Sequence, residues 1–144
     1  MLKMRTTARE DTVMGTLREL TVDECVELIS ASVVGRAAIC TPSGPHVVPV
    51  NFAVDHDSIV FRTTPYSVLG TYGWAGDMAF EVDHIEVETH EGWSVVAVGR
   101  GEMVDDVEEI EEIRWAHEPK PWADGTRPLY VRLRWREITG RRIG

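Results

Sequence analysis

Residues 33–41, 46–54 and 58–63 are rich in Val, Ala, Ile and Phe, and only Pro42-Ser43-Gly44-Pro45 and Asp55-His56-Asp57 separate them. A parallel strand pair needs a crossover of a dozen or more residues, so connections this short leave only an antiparallel meander. The separators are turn-formers for identifiable reasons: Pro presets one backbone angle, Gly tolerates the left-handed region, and Asp caps its own turn. Pro49 lies inside the second strand and has no N–H for a ladder, so it belongs at an edge or a bulge.

The rest of the chain extends this pattern. Thr21-Val22-Asp23-Glu24 is a capping box, and Val22, Cys25, Val26, Leu28 and Ile29 follow at helical spacing, which predicts a helix over Val22–Ser30. Residues 65–74 read as a short helix or irregular segment, 78–84 as an alternating strand, 87–92 as a polar loop and 93–104 as a long strand bent at Gly99 and Gly101. Residues 105–116 read as a helix with acids at its positive end and Val107, Ile110 and Ile113 on one face. A loop over 117–126 carries Pro119, Pro121 and Gly125, and 128–139 is a last strand of near-perfect alternation. Six strands with flanking helices predict a mainly β domain, an antiparallel barrel or sandwich, over residues 19–144. Residues 1–18 show no period and read as a flexible or partner-draped arm.

Composition narrows the function. Among 144 residues, 15 basic face 24 acidic, a net charge of -9, which argues against binding nucleic acid through its phosphates. No apolar run approaches the ~20 residues of a membrane span and the amino terminus has no signal-peptide core, so a cytoplasmic protein is expected. Cys25 and Cys40 cannot make a disulfide framework and read as buried free thiols. His46, His56, His84, His90 and His117 show no metal-ligand spacing, and no phosphate-loop, dinucleotide or nucleophile-elbow motif is present. With no self-contained catalytic apparatus, the chain reads as a binding protein or as an enzyme whose chemistry belongs to a bound cofactor.

Two features point to an anionic ligand. In the last strand Leu129, Val131, Leu133 and Trp135 share one face, and Tyr130, Arg132, Arg134 and Arg136 the other, so three arginines stand in a row about 7 Å apart. They suit phosphate or carboxylate, or else they pair with the acids of 102–112 across a solvated barrel exterior. Arg62-Thr63-Thr64 followed by Ser67 forms a strand-to-helix junction whose hydroxyls and amides could seat a phosphate. Trp74, Trp93, Trp115, Trp122 and Trp135 could stack on a planar ring or pack in a core or interface.

The order of short motifs is more specific than any of them alone: Val34-Gly35-Arg36, Pro49-Val50-Asn51, Phe61-Arg62-Thr63, Phe80-Glu81-Val82-Asp83, Gly92-Trp93-Ser94-Val95-Val96 with Gly99, Pro121-Trp122-Ala123, and Thr139-Gly140-Arg141-Arg142-Ile143. In this order the chain resembles the pyridoxamine 5'-phosphate oxidase-like family of flavin-binding split barrels over about residues 17–143. The resemblance implies a six-stranded split barrel, a homodimer, and two flavin sites in grooves between the subunits. It implies that Val48, Val50 and Asn51 line the flavin ring and that Arg62, Thr63, Ser67, Val68 and Leu69 hold the ribityl chain and phosphate. Ser94 would lie near the same groove, with Trp93 against the ring or the dimer seam. Such proteins usually carry Lys or Arg on the phosphate turn, where this chain has Val68 and Leu69. The function implied is an FMN-binding oxidoreductase acting on a small-molecule substrate, with no protein general base identified and no recognisable vitamin substrate site. The alternatives are a reductase using a deazaflavin coenzyme, which the arginine row would suit, and a non-catalytic dimeric small-ligand binding protein.

Overall fold

The computed structural model describes residues 15–74 and 76–144. The chain runs β1 (Leu17–Glu19), α1 (Val22–Ser30), β2 (Val34–Thr41), β3 (Gly44–Asp55), β4 (Ser58–Thr63), α2 (Val68–Tyr72), β5 (Asp77–Glu86), β6 (Glu91–Val104), α3 (Val107–His117) and β7 (Leu129–Ile143). Every strand pairing is antiparallel, in the order β1-β7-β4-β3-β2-β5-β6, and β6 pairs with β7 to close the ring. The mainly β barrel with flanking helices is therefore as the sequence implies. No helix among the described residues is long and apolar enough to cross a membrane.

Local signals account for most elements. The capping box at α1 is complete: Glu24 N donates to Thr21 Oγ1 at 3.2 Å, and Thr21 N donates to Glu24 Oε1 at 2.9 Å. Cys25 and Ile29 on the inner face of α1 are buried against the barrel. Burial pushes the Cys25 thiol up, whereas Cys40, expected to be buried, is exposed. Inside the barrel, the Phe52 and Phe80 rings meet edge-on at 5.0 Å, and Phe61 stacks on Phe80 at 6.2 Å. Each buried Phe contributes about 1.5–3 kcal/mol, so these three rings anchor β3, β4 and β5 to one core.

Several expectations need correction. The tail of the expected arm forms β1, whose Leu17, Arg18 and Glu19 pair with Ile143, Arg142 and Arg141; residues 1–14 of that arm lie outside the described residues. The expected loop over 87–92 is a tight hairpin, with Glu86 already paired to Glu91 and His90 taking a left-handed φ of 58°. Val107 is 72% exposed rather than packed with Ile110 and Ile113, because it opens α3 beyond the reach of the core formed by Val60, Val104, Ile113 and Tyr130.

The arginine row is the largest correction. It is not a free anion site: two of its arginines pair with acids of 102–112, as the alternative reading expects, and Arg134 and Arg136 are solvated while Arg132 is buried. Arg132 is 5% exposed and clamped by Asp55 Oδ2 at 3.1 Å and Glu109 Oε1 at 2.9 Å, with Ser58 Oγ accepting a further hydrogen bond. Arg134 pairs with Asp57 and Glu102, and Arg136 with both carboxylate oxygens of Asp77. A bulge also interrupts the alternation, since Gly99 faces Trp135 while Val98 faces Glu137. The inward phase shifts by one there, and Ile138 becomes the buried residue.

Arg132 ties β7 to the β3–β4 turn and to α3. Arg132→Met is expected to destabilise the fold by about 3 kcal/mol, the low end for breaking a buried ion pair, because Asp55 and Glu109 keep some water access. The check is the urea midpoint at unchanged slope. Burial raises the Asp55 carboxyl, but the Arg132 and His56 hydrogen bonds outweigh it and hold Asp55 below its ordinary value. A lowered carboxylate gives stability that is present above its unfolded value, about 3.9, and is lost as pH falls through its folded value. Unfolding titrations should therefore show stability falling with acidification below about pH 4, and Asp55→Asn should make that fall shallower.

Candidate functional site

β3 pairs with β2 along Gly44–Asn51 but with β4 only over Phe52–Asp55. Before Phe52, then, one edge of β3 has no strand beside it. Pro49 sits in that stretch, paired with Arg36 of β2, and its missing N–H costs no ladder bond on the open side. The barrel is split here. A cleft of about 190 Å³ occupies the gap, lined by Val48, Pro49, Val50, Arg62, Thr63, Thr64, Ser67, Val68, Leu69 and Arg127. Seven of the residues named from the sequence, Val48, Val50, Arg62, Thr63, Ser67, Val68 and Leu69, thus meet in one place.

The turn at the cleft's end is tightly built. Ser67 caps α2 by accepting from Gly70 N at 3.0 Å, and it donates to Thr64 O at 2.8 Å. Thr63 Oγ1 lies 2.7 Å from Ser67 Oγ. Since Ser67 has given its only proton to Thr64 O, Thr63 must be the donor in that contact. Both hydroxyl protons are committed to the turn. Gly70 is required by close approach: a Cβ there would lie 1.9 Å from Thr64 O.

Arg62 is held on several sides. Its Nε donates to Arg127 O at 3.0 Å and its Nη1 to Glu118 Oε1 at 3.0 Å, and its guanidinium lies 5.1 Å from the centre of the Tyr130 ring. Tyr130 Oη donates to the same Glu118 oxygen at 2.9 Å. Burial, reinforced by Glu118, pushes the Tyr130 phenol up. Glu118 Oε2 is buried without a hydrogen bond, and Arg114 Nε approaches it only to 3.7 Å. The middle of the loop is fastened as well: Trp122 N donates to Asn51 Oδ1 at 2.9 Å, while Asn51 Nδ2 donates to Val33 O at 3.3 Å. Residues 118–128 are therefore stapled to the cleft by Arg62 at both ends and by Asn51 between them. Asn51 acts here as a loop anchor beside the cleft rather than as one of its walls.

Trp93 and Ser94 are not among the walls of this cleft. Trp93 packs partly against the main core. Ser94 lies in a larger groove of about 640 Å³ with β1, Val96, Thr139 and Arg141. Sequence reasoning missed Arg127 and Glu118 because both sit in a Pro- and Gly-broken loop with no period to assign them a face. The signal available was that Arg127 opens the arginine-rich stretch over 127–142, a composition suited to a small anionic ligand.

Comparisons with known proteins agree with this geometry. The family model described as pyridoxamine 5'-phosphate oxidase matches residues 21–142. A crystal structure from Corynebacterium glutamicum, of a protein whose own assignment as a pyridoxamine 5'-phosphate oxidase is provisional, is 30% identical, covers 88% of this chain and 93% of its own, and superposes with a TM-score of 0.73. The FAD-binding protein of Mycobacterium smegmatis is 29% identical, with coverage of 87% and 97% and a TM-score of 0.73. The uncharacterised protein Rv0080 of Mycobacterium tuberculosis is 27% identical over 130 residues, 87% of this chain and 84% of that protein.

The cleft depends on the turn that Gly70 permits. Gly70→Ala must displace the Thr64 carbonyl, breaking the Ser67 cap and the contact to Thr63 together. The expected cost is about 2 kcal/mol, a lost cap plus local strain. Thermal unfolding checks it, and a variant as stable as the parent would contradict the close approach.

Proposed function

This chain belongs to the pyridoxamine 5'-phosphate oxidase family of flavin-binding split barrels, and we propose that it is a flavin-dependent oxidoreductase that takes FMN in the cleft between β3 and β4. The observation that carries the proposal is the split itself. It opens an apolar wall, Val48 and Val50, against a polar end formed by the Thr63–Ser67 turn with Arg62 and Arg127. A flavin has the same division, with a flat apolar ring at one end and an anionic tail at the other. The bound flavin would supply hydride chemistry; the protein's part is to orient the ring, hold the tail and exclude water. The arginine row, the feature that would favour a coenzyme with a longer acidic tail, is occupied by carboxylates. That supports an ordinary flavin over a deazaflavin. A non-catalytic binding role would use the same cleft and differs in showing no turnover with any reductant.

The cleft is smaller than the roughly 300–1,000 Å³ that encloses a ligand of this size. We therefore infer that a second copy of the chain completes it. The outer face of β2 and β3 next to the cleft presents Val47, 65% exposed, with Val34, Pro45 and Pro49 also exposed. A face of this kind is suited to burial in a homodimer. On this reading Trp93 and Ser94 serve the cleft of the other copy, which reconciles them with their place outside their own.

Titration of the purified protein with FMN, FAD and riboflavin, followed by quenching of flavin fluorescence, tests the reading. Saturable binding at micromolar concentration or tighter is expected; no quenching by any of the three would overturn it. Val47→Asp puts a charge into the inferred interface and is expected to give a monomer in sedimentation, with FMN binding weakened about tenfold or more. A Val47→Asp variant that stays dimeric would place the interface elsewhere.

A further inference from the structure

Two arginines, Arg62 and Arg127, line the cleft, and the structure distinguishes their tasks. Arg62 spends Nε on Arg127 O and Nη1 on Glu118, whose carboxylate neutralises its charge at 3.0 Å. Arg127 has only one such obligation, Nη1 to Asp124 O at 2.8 Å. Among the described residues it makes no ion pair with a carboxylate, so its charge is uncompensated. Several of the other groups at this end have little to offer an anion. The Thr63 and Ser67 hydroxyl protons are already used within the turn, and Val68 and Leu69 are apolar.

We propose that Arg127 is the residue that binds the flavin phosphate, and that Arg62 is a positioning residue that holds Arg127 in place. The proposal rests on the flavin reading above and deepens it. Arg127 is carried on a loop that has no regular secondary structure of its own from residue 118 to 128. Such a loop places a long side chain poorly unless its backbone is pinned. Arg62 pins it at Arg127's own carbonyl and at Glu118, at the two ends of the loop. The phosphate-binding cation thus comes from the segment before β7 instead of from the turn after β4.

The experiment compares FMN with riboflavin, which differ only in the phosphate. In the wild-type protein FMN should bind more tightly. Arg127→Gln should weaken FMN about ten- to a hundredfold, the range for losing a charged hydrogen bond, and leave riboflavin unchanged. The FMN-to-riboflavin ratio is the readout because a general loss of structure would weaken both. Arg62→Lys keeps a charge but cannot bridge Arg127 O and Glu118 as the planar fork does. It should also lower the ratio, and adding it to Arg127→Gln should lower it no further. An unchanged ratio in Arg127→Gln, or wild-type protein that binds both ligands equally, would overturn this inference while leaving the flavin reading intact. A fully additive double variant would overturn the positioning role and make Arg62 a direct phosphate contact. Wild-type protein that takes up neither ligand would overturn the inference and the flavin reading together.

Discussion

β7 hydrogen-bonds to three other strands, and the rest of the molecule depends on how it divides its length among them. One edge runs against β6 from Tyr130 to Ile143, while the other serves β4 over Leu129–Arg134 and then β1 over Arg141–Ile143. A strand of fifteen residues cannot do this flat, because twisted strands diverge along their length. The bulge at Arg136 absorbs that divergence. It also moves the inward phase from Leu133 to Ile138, so both halves of the strand face the same core. Closure through β7 joins β6 to the far side of the sheet, removing long edges that would otherwise recruit other chains, and leaves an opening between β3 and β4.

The opening follows from lengths that do not match. β3 has twelve residues and β4 six, so β4 can cover only half of β3. Before Phe52 the uncovered edge faces the turn that leads into α2. Phe52 is buried and packs on Phe80, and it marks the point where barrel core ends and cleft begins. Pro49 fits this arrangement in both directions: the open edge tolerates it, and it discourages any strand from closing the gap. The loop over 118–128 comes to the same place from the far end of α3, so the polar end of the cleft is assembled from segments about sixty residues apart in sequence.

What was legible in the sequence is what local chemistry decides. α1 and β4 fall at Val22–Ser30 and Ser58–Thr63 as expected, because a capping box and a pair of tight turns leave their ends little freedom. The cluster of Val48, Val50, Arg62, Thr63, Ser67, Val68 and Leu69 came from motif order and meets in one cleft. The parts that were not legible depend on partners far along the chain. Leu17–Glu19 is a strand only because β7 offers it an edge. Arg132 has the alternation of a surface residue but is buried because Asp55 and Glu109 converge on it from two other elements. Arg127 has no periodicity, and its position is set by Arg62 through one backbone carbonyl.

The same reasoning extends to assembly. If each cleft is closed by a second copy, ligand and partner stabilise one another, since whatever binds only the complete site draws the chain toward the dimer. That coupling is reciprocal by thermodynamic necessity: flavin tightens the dimer by the same factor by which dimerisation tightens flavin. Measured flavin affinity would then rise with protein concentration up to the dimer constant and level off above it. A site complete within one chain would show no such dependence. On that proposal the small volume of the cleft and the exposed Val47 beside it would be two views of one property, because a half-walled cleft leaves uncovered the surface that its other half would occupy.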